Sequence, residues 1–83
     1  MKSWIPDLSS YRGPVYLAVV DEIETAIGTG RLQPGDTLPS QRMLADFLGL
    51  HVNTVNRALR ETARRGLTVG SGRKGTIILR LSA

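Results

Sequence analysis

The segment PSQRMLADFLGLHVNTVNRALRETARRGL, residues 39–67, decides the fold. It reads as two helices joined by a tight glycine corner. Ser40 is a good N-cap, because its side-chain oxygen can accept from the free N–H groups of a first turn. A helix is predicted over Gln41–Leu48, with Met43, Leu44, Phe47 and Leu48 as its buried face. Gly49 ends it and makes the corner, and Leu50 plugs the gap between the helices. The next helix runs from about Val52 to Arg65, with Gly66 as its C-terminal stop. Val55, Ala58, Leu59 and Thr62 face inward. Asn53, Arg57, Arg60 and Arg64 share the opposite face at helical spacing. An αα-corner with a short, glycine-containing turn is the sequence form of a helix-turn-helix.

The flanking sequence completes a small domain. Upstream, Pro14 to Ile27 reads as a helix. Pro14 suits a first turn, where a missing N–H costs nothing. Tyr16, Val20, Ile23 and Ile27 form its apolar stripe, widened by Leu17, Val19 and Ala26. Asp21, Glu22 and Glu24 fall on the other side. Gln33-Pro34-Gly35-Asp36 has Pro and Gly in type II turn order, and Thr37-Leu38 is short and extended because Leu38 precedes Pro39. Downstream, Leu67 to Val69 and Thr76 to Leu81 read as strands of a hairpin, with the glycine-rich Gly70 to Gly75 as its loop. The expected fold is mainly α with a small β-hairpin: three helices plus a wing, a winged helix-turn-helix. Residues 1–13 are a lead-in with no clear period, in which Trp4 and Ile5 are apolar enough to dock, and residues 14–81 are the domain.

Bulk properties narrow the classes. The chain has 83 residues, no cysteine and one histidine, His51. That is one small domain at most, with no disulfide or thiolate metal site. No apolar run approaches the roughly 20 residues that span a bilayer, and the N-terminus lacks a signal peptide's apolar stretch; a soluble cytoplasmic protein is expected, with no membrane partner. Net charge is +4, unevenly spread. Up to Leu50 there are four basic and six acidic residues; from His51 onward there are seven basic and one acidic, Glu61. A basic half suits a polyanion partner, and equally a solvated basic surface. No nucleophile–base pair and no metal-ligand cluster can be assembled, so no enzyme and no cofactor are expected in this chain.

The candidate binding residues follow from the layout. The N-terminal residues of a recognition helix reach base edges in the major groove; here they are His51, Asn53, Thr54, Asn56 and Arg57. Asn pairs bidentately with adenine and Arg with guanine, while Thr can meet a phosphate or a thymine methyl. The alternative is that the Asn residues simply solvate the helix start. Arg42, one turn into the preceding helix, is a candidate phosphate clamp, and the helix start at Ser40 and Gln41 can offer N–H groups to a phosphate. The alternative for Arg42 is a surface ion pair with Asp46. Arg60 is a further candidate phosphate contact. Arg64 and Arg65 can equally serve the helix dipole at its C-terminus. Arg73 and Lys74, between glycines at the hairpin tip, fit a wing that reaches the minor groove. The loop around them lacks the ending of a nucleotide-binding loop and joins two strands. Double-stranded DNA is the expected partner; a protein-binding or an RNA-binding winged helix are the competing readings.

The residues also carry a family resemblance. Leu38-Pro39-Ser40-Gln41-Arg42, Leu44-Ala45, Leu48-Gly49, Asn53-Thr54-Val55, Arg57-Ala58, Arg64-Arg65-Gly66-Leu67 and Gly75-Thr76 resemble the DNA-binding domain of GntR-type bacterial transcription regulators. Gln41 before Arg42, the Asn-Thr-Val-x-Arg-Ala run and the Arg-Arg-Gly-Leu helix end are similar to its MocR branch. Gly13-Pro14-x-Tyr16-Leu17, Gly30-Arg31-Leu32, Pro34-Gly35-Asp36 and Trp4 extend the likeness to roughly residues 4–79. The resemblance implies a sequence-specific, operator-binding winged helix. Arg42 and the start of the third helix would contact DNA, and the wing at Arg73, Lys74, Gly75 and Thr76 would lie toward the minor groove. It also implies a C-terminal aminotransferase-like domain, absent from this chain, that binds pyridoxal phosphate and makes the full-length protein a homodimer. The sequence departs from the family at His51 and Val52, where many members have Ser or Thr followed by Arg, and at Arg73, where a glycine is common. Readout is therefore expected to shift toward Asn56 and Arg57.

Overall fold

The computed structural model describes residues 13–71 and 75–79. Its elements are α1 (Val15–Gly28), α2 (Gln41–Leu48), α3 (Val52–Arg64), β1 (Thr68–Ser71) and β2 (Gly75–Ile78). The three helices lie within one residue of the predicted bounds. The lead-in up to Arg12, the hairpin-tip residues Arg73 and Lys74, and Arg80 and Leu81 lie outside the described residues.

Local chemistry sets the two corners that matter for the site. Ser40 Oγ accepts from the Met43 N–H at 3.1 Å, opening α2. Gly49 closes it in the left-handed region, at φ 67°, and the Leu50 N–H reaches back to the Ala45 carbonyl at 2.9 Å. This six-to-one bond satisfies a carbonyl that the helix end would orphan. The same device ends α3: Gly66 has φ 76°, and the Leu67 N–H bonds to the Thr62 carbonyl at 2.9 Å. Both turns fold the chain back sharply, and so fix α2 against α3 and β1 against α3.

The core lies where α1, α3 and the hairpin meet. Val19, Val20 and Ile23 of α1, Leu32, Leu38, Leu44, Val55, Ala58, Leu67 and Ile78 are all buried. The inward face of α3 is as expected, with Val55, Ala58, Leu59 and Thr62 buried. The expected face of α2 is corrected. Leu44 and Ala45 are buried, whereas Met43 and Phe47 are 51% and 57% exposed. A helix of eight residues has little more than two turns, and its packing against α3 uses the edge that runs through Leu44, Ala45 and half-buried Leu48.

The hairpin is also corrected in extent. Gly70 and Ser71 belong to β1 and pair with Thr76 and Gly75, in an antiparallel register that begins at Thr68 and Ile78. Glycine backbone groups join a ladder as well as any others, so a glycine-rich run concealed strand. A further short edge extends the sheet. The Ile78 N–H donates to the Asp36 carbonyl, and the Leu38 N–H to the Thr76 carbonyl, each at 2.8 Å, with Thr37 bridged to Ile77. The extended Thr37-Leu38 segment thus anchors the wing and delivers the chain to Ser40.

Candidate nucleic-acid interface

The start of α2, the start of α3 and the root of the wing converge. An open cleft of about 610 Å³ is lined by Pro39, Ser40, Gln41, Arg42, Val52, Gly70, Gly75 and Thr76. The predicted Ser40, Gln41, Arg42, Gly75 and Thr76 are therefore brought together. Ser40, Gln41 and Arg42 are exposed, and Thr76 is half-buried. The first turn of α2 leaves N–H groups without helical partners, and these accompany the Arg42 guanidinium at the cleft. Among the described residues, no ion pair joins Arg42 to Asp46; the salt bridges there belong to Glu24, Glu61, Arg64 and Arg65.

On α3, His51 is the N-cap. Its Nδ1 accepts from the Asn53 N–H at 3.0 Å, and its carbonyl accepts from Thr54 and Val55. A neutral imidazole that accepts at Nδ1 carries its proton on Nε2, so the polar group His51 has left to offer is a donor. Asn53 and Arg57 stand exposed one turn apart, Arg60 follows on the same side, and Thr54 and Asn56 are half-buried. Gln41 Nε2 lies 3.5 Å from Asn56 Oδ1, a long hydrogen bond across the corner. Asn56 accepts in this bond through its carbonyl oxygen and so keeps both donors of its NH₂ group. The structure separates Arg64 from the other basic residues of this face. Its guanidinium is bound by Glu61, at 2.9 Å through Nε and 2.6 Å through a terminal nitrogen, and Arg65 binds the same carboxylate at 2.8 Å. Hydrogen bonds from Arg64 and then Arg65 hold the Glu61 carboxyl down at about 2.

Sequence reasoning missed part of this surface. Tyr16, assigned there only to the apolar stripe of α1, carries the Arg57 guanidinium over its ring, 4.0 Å from the centroid. A second hollow, lined by Pro14, Val15, Tyr16, Asn53, Thr54 and Arg57, opens beside it. The two residues are 41 positions apart, and no local pattern relates them. Pro39, Val52 and Gly70 also line the cleft without having been predicted as binding residues, and Arg73 and Lys74 lie outside the described residues. Among the described residues, no group of His, Cys, Asp or Glu could hold a metal ion, and no helix is long and apolar enough to cross a membrane.

Three packed helices followed by an antiparallel hairpin, with the second and third helices meeting at a glycine corner, define a winged helix-turn-helix domain. The family model for bacterial regulatory proteins of the gntR family matches residues 15–78. The chain belongs to the GntR family. It is 42% identical over 73 residues to the uncharacterized HTH-type transcriptional regulator YdeF of Bacillus subtilis (strain 168), a match that covers 84% of this chain and 16% of YdeF. The chain thus spans about a sixth of that relative's length. Among solved structures, the GntR-family transcription factor YtrA from Sulfolobus acidocaldarius superposes with a TM-score of 0.85 at 31% identity, over 95% of this chain and 84% of YtrA. The AraR DNA-binding domain in complex with operator ORX1 superposes with a TM-score of 0.77 at 27% identity, over 86% of each chain.

Proposed function

We propose that this domain binds a specific operator in double-stranded DNA and regulates transcription, with α3 in the major groove and the wing toward the minor groove. The observation that carries the reading is the convergence of the α2 start, the α3 start and the wing root on one cleft, beside the exposed Asn53, Arg57 and Arg60. The likeness to a domain solved on its operator supports it. Arg42, Arg60, the α2 N–H groups at Ser40 and Gln41, and the wing residues Arg73, Lys74, Gly75 and Thr76 take phosphates. His51, Asn53, Thr54, Asn56 and Arg57 face the base edges. The domain itself does no chemistry and holds no cofactor.

Within the family we assign it to the MocR branch, on its Asn-Thr-Val-x-Arg-Ala and Arg-Arg-Gly-Leu runs. Matching only 16% of YdeF leaves room in such a relative for a large further domain. In that reading the full-length protein carries an aminotransferase-like domain with pyridoxal phosphate. It acts in the cytoplasm as a homodimer that sets two copies of this domain on repeated half-sites. The test is a titration with a mixed pool of duplex DNA at low and moderate salt. Phosphate contacts make binding fall steeply with salt. Absence of salt-sensitive binding at every concentration would favour a protein-binding module, and equal or tighter binding to single strands or hairpins would favour RNA.

A further inference from the structure

We infer that Tyr16 of α1 is a positioning residue for base reading by Arg57, so that recognition of a guanine edge is shared between α1 and α3. The inference rests on the DNA-binding reading above and names who sets its specificity. Arg57 stands on the exposed face of α3, one helical turn beyond Asn53. Among the described residues it has no carboxylate partner, in contrast to Arg64 and Arg65, which are tied to Glu61. Its one distinctive contact is the Tyr16 ring, 4.0 Å from the guanidinium carbon to the centroid. The ring is itself held, because Tyr16 is half-buried and packs against the hydrophobic core.

The geometry suits a reader. Arginine recognises guanine through a planar fork of N–H donors directed at O6 and N7. Stacking occupies the face of that plane and leaves its edge free, so a ring beneath Arg57 and a base in front of it do not compete. Arginine loses much side-chain freedom when it docks, and a stacked guanidinium has already lost part of it. The hollow beside the pair, which includes Asn53 and Thr54, places the stack next to the other candidate readers. A tyrosine that served only the core would bear no relation to base preference.

The test uses the 83-residue chain, with duplexes that the wild type selects from a random pool, and the same duplexes with each guanine pair replaced in turn by an adenine pair. One replacement should weaken wild-type binding about tenfold or more, and Arg57→Ala should abolish that dependence. Tyr16→Leu should lower the discrimination at that one position by about two- to fivefold, Tyr16→Phe should retain it, and Tyr16→Leu added to Arg57→Ala should change nothing further. Tyr16→Leu weakening all duplexes alike, or adding in full to Arg57→Ala, overturns the inference and leaves the DNA-binding reading standing. A wild type that selects no duplex overturns both. A second measurement covers a leucine variant that fails to fold. The Arg57 δ protons should show an upfield ring-current shift in the NMR spectrum of the wild type and of Tyr16→Phe, and its absence from both overturns the inference.

Discussion

The hydroxyls of Thr62 on α3 and Thr68 on β1 lie 2.8 Å apart in the core. Thr62 also donates to the Leu59 carbonyl at 2.9 Å. A hydroxyl has one hydrogen to give, so Thr68 is the donor within the pair. Both residues are buried, and they flank the Gly66 turn that carries the chain from α3 to the wing. Two elements expected to touch DNA at different grooves are thus joined by a buried polar bond as well as by packing.

Thr62→Val should therefore destabilise the domain more than the loss of one exposed hydrogen bond would. It strands the Thr68 hydroxyl in the core, at a cost of about 1–3 kcal/mol, and each kcal/mol should lower the melting temperature by roughly 4–8 °C in a domain of this size. Thr62→Val combined with Thr68→Val removes both partners and should recover most of the loss. Thermal denaturation of the wild type, Thr62→Val, Thr68→Val and the double variant checks this. A double variant as unstable as the sum of the singles would show that packing, and not the hydroxyl pair, sets the effect.

Glu61 makes stability depend on acid. Its carboxyl is held at about 2, first by Arg64 and then by Arg65, below the ordinary 4.5. A carboxyl lowered on folding contributes stability that is fully present above its unfolded value and is lost as pH falls through its folded one. The contribution should therefore be intact at pH 6 and fade between pH 4.5 and about 2. Melting temperatures of the wild type and Glu61→Gln across this range should differ at pH 6 and converge at low pH, with the gap reduced by added salt because the cluster is at the surface. A gap that widens on acidification would contradict the assignment.

The legible parts of the fold are those whose cause is local. Ser40, Gly49 and Gly66 are stop and start signals that act within a few residues, so the three helices emerged with their bounds and α3 with its inward face. The Met43 and Phe47 error arose because a helix of two turns offers too few apolar positions for periodicity to choose between its two flanks. The expected first hairpin strand stops short at Val69, because glycine has low strand preference while pairing at Gly70 is decided by its partner Thr76; Leu67 and Leu79, expected in the strands, lie just outside them. His51 was read as a possible base contact, and its imidazole closes the first turn of α3; histidine is not among the favoured caps, so the local pattern was silent. Glu61 stands at i,i+3 and i,i+4 from Arg64 and Arg65, a spacing that the sequence reading passed over in favour of the basic face and the helix dipole. The stack of Arg57 on Tyr16 was not visible, because tertiary packing alone brings α1 to that face of α3.

Arg42 should contribute affinity without sequence preference. It lines the cleft beside the free N–H groups at the start of α2 and, among the described residues, is not paired with Asp46. Arg42→Ala is expected to weaken operator and random duplexes by the same factor and to lower the slope of log affinity against log salt by about 1. Fluorescence anisotropy titrations at several salt concentrations measure both quantities. A salt slope unchanged by the substitution would remove Arg42 from the phosphate contacts.

Asn53 should do the reverse. Its backbone N–H is bound by His51 Nδ1, and alanine keeps that N–H, so Asn53→Ala leaves the helix cap in place. Its side chain is exposed beside Thr54 and Arg57. If it reads a base, the variant should melt within about 1 °C of the wild type per tenth or two of a kcal/mol lost, yet give up about 1–3 kcal/mol of discrimination between a selected duplex and random DNA. The salt slope should stay the same, because no phosphate contact is lost. If instead the amide only solvates the start of the helix, discrimination will not move, and the readout must pass to Asn56 and Arg57, whose side chains are already oriented by Gln41 and Tyr16.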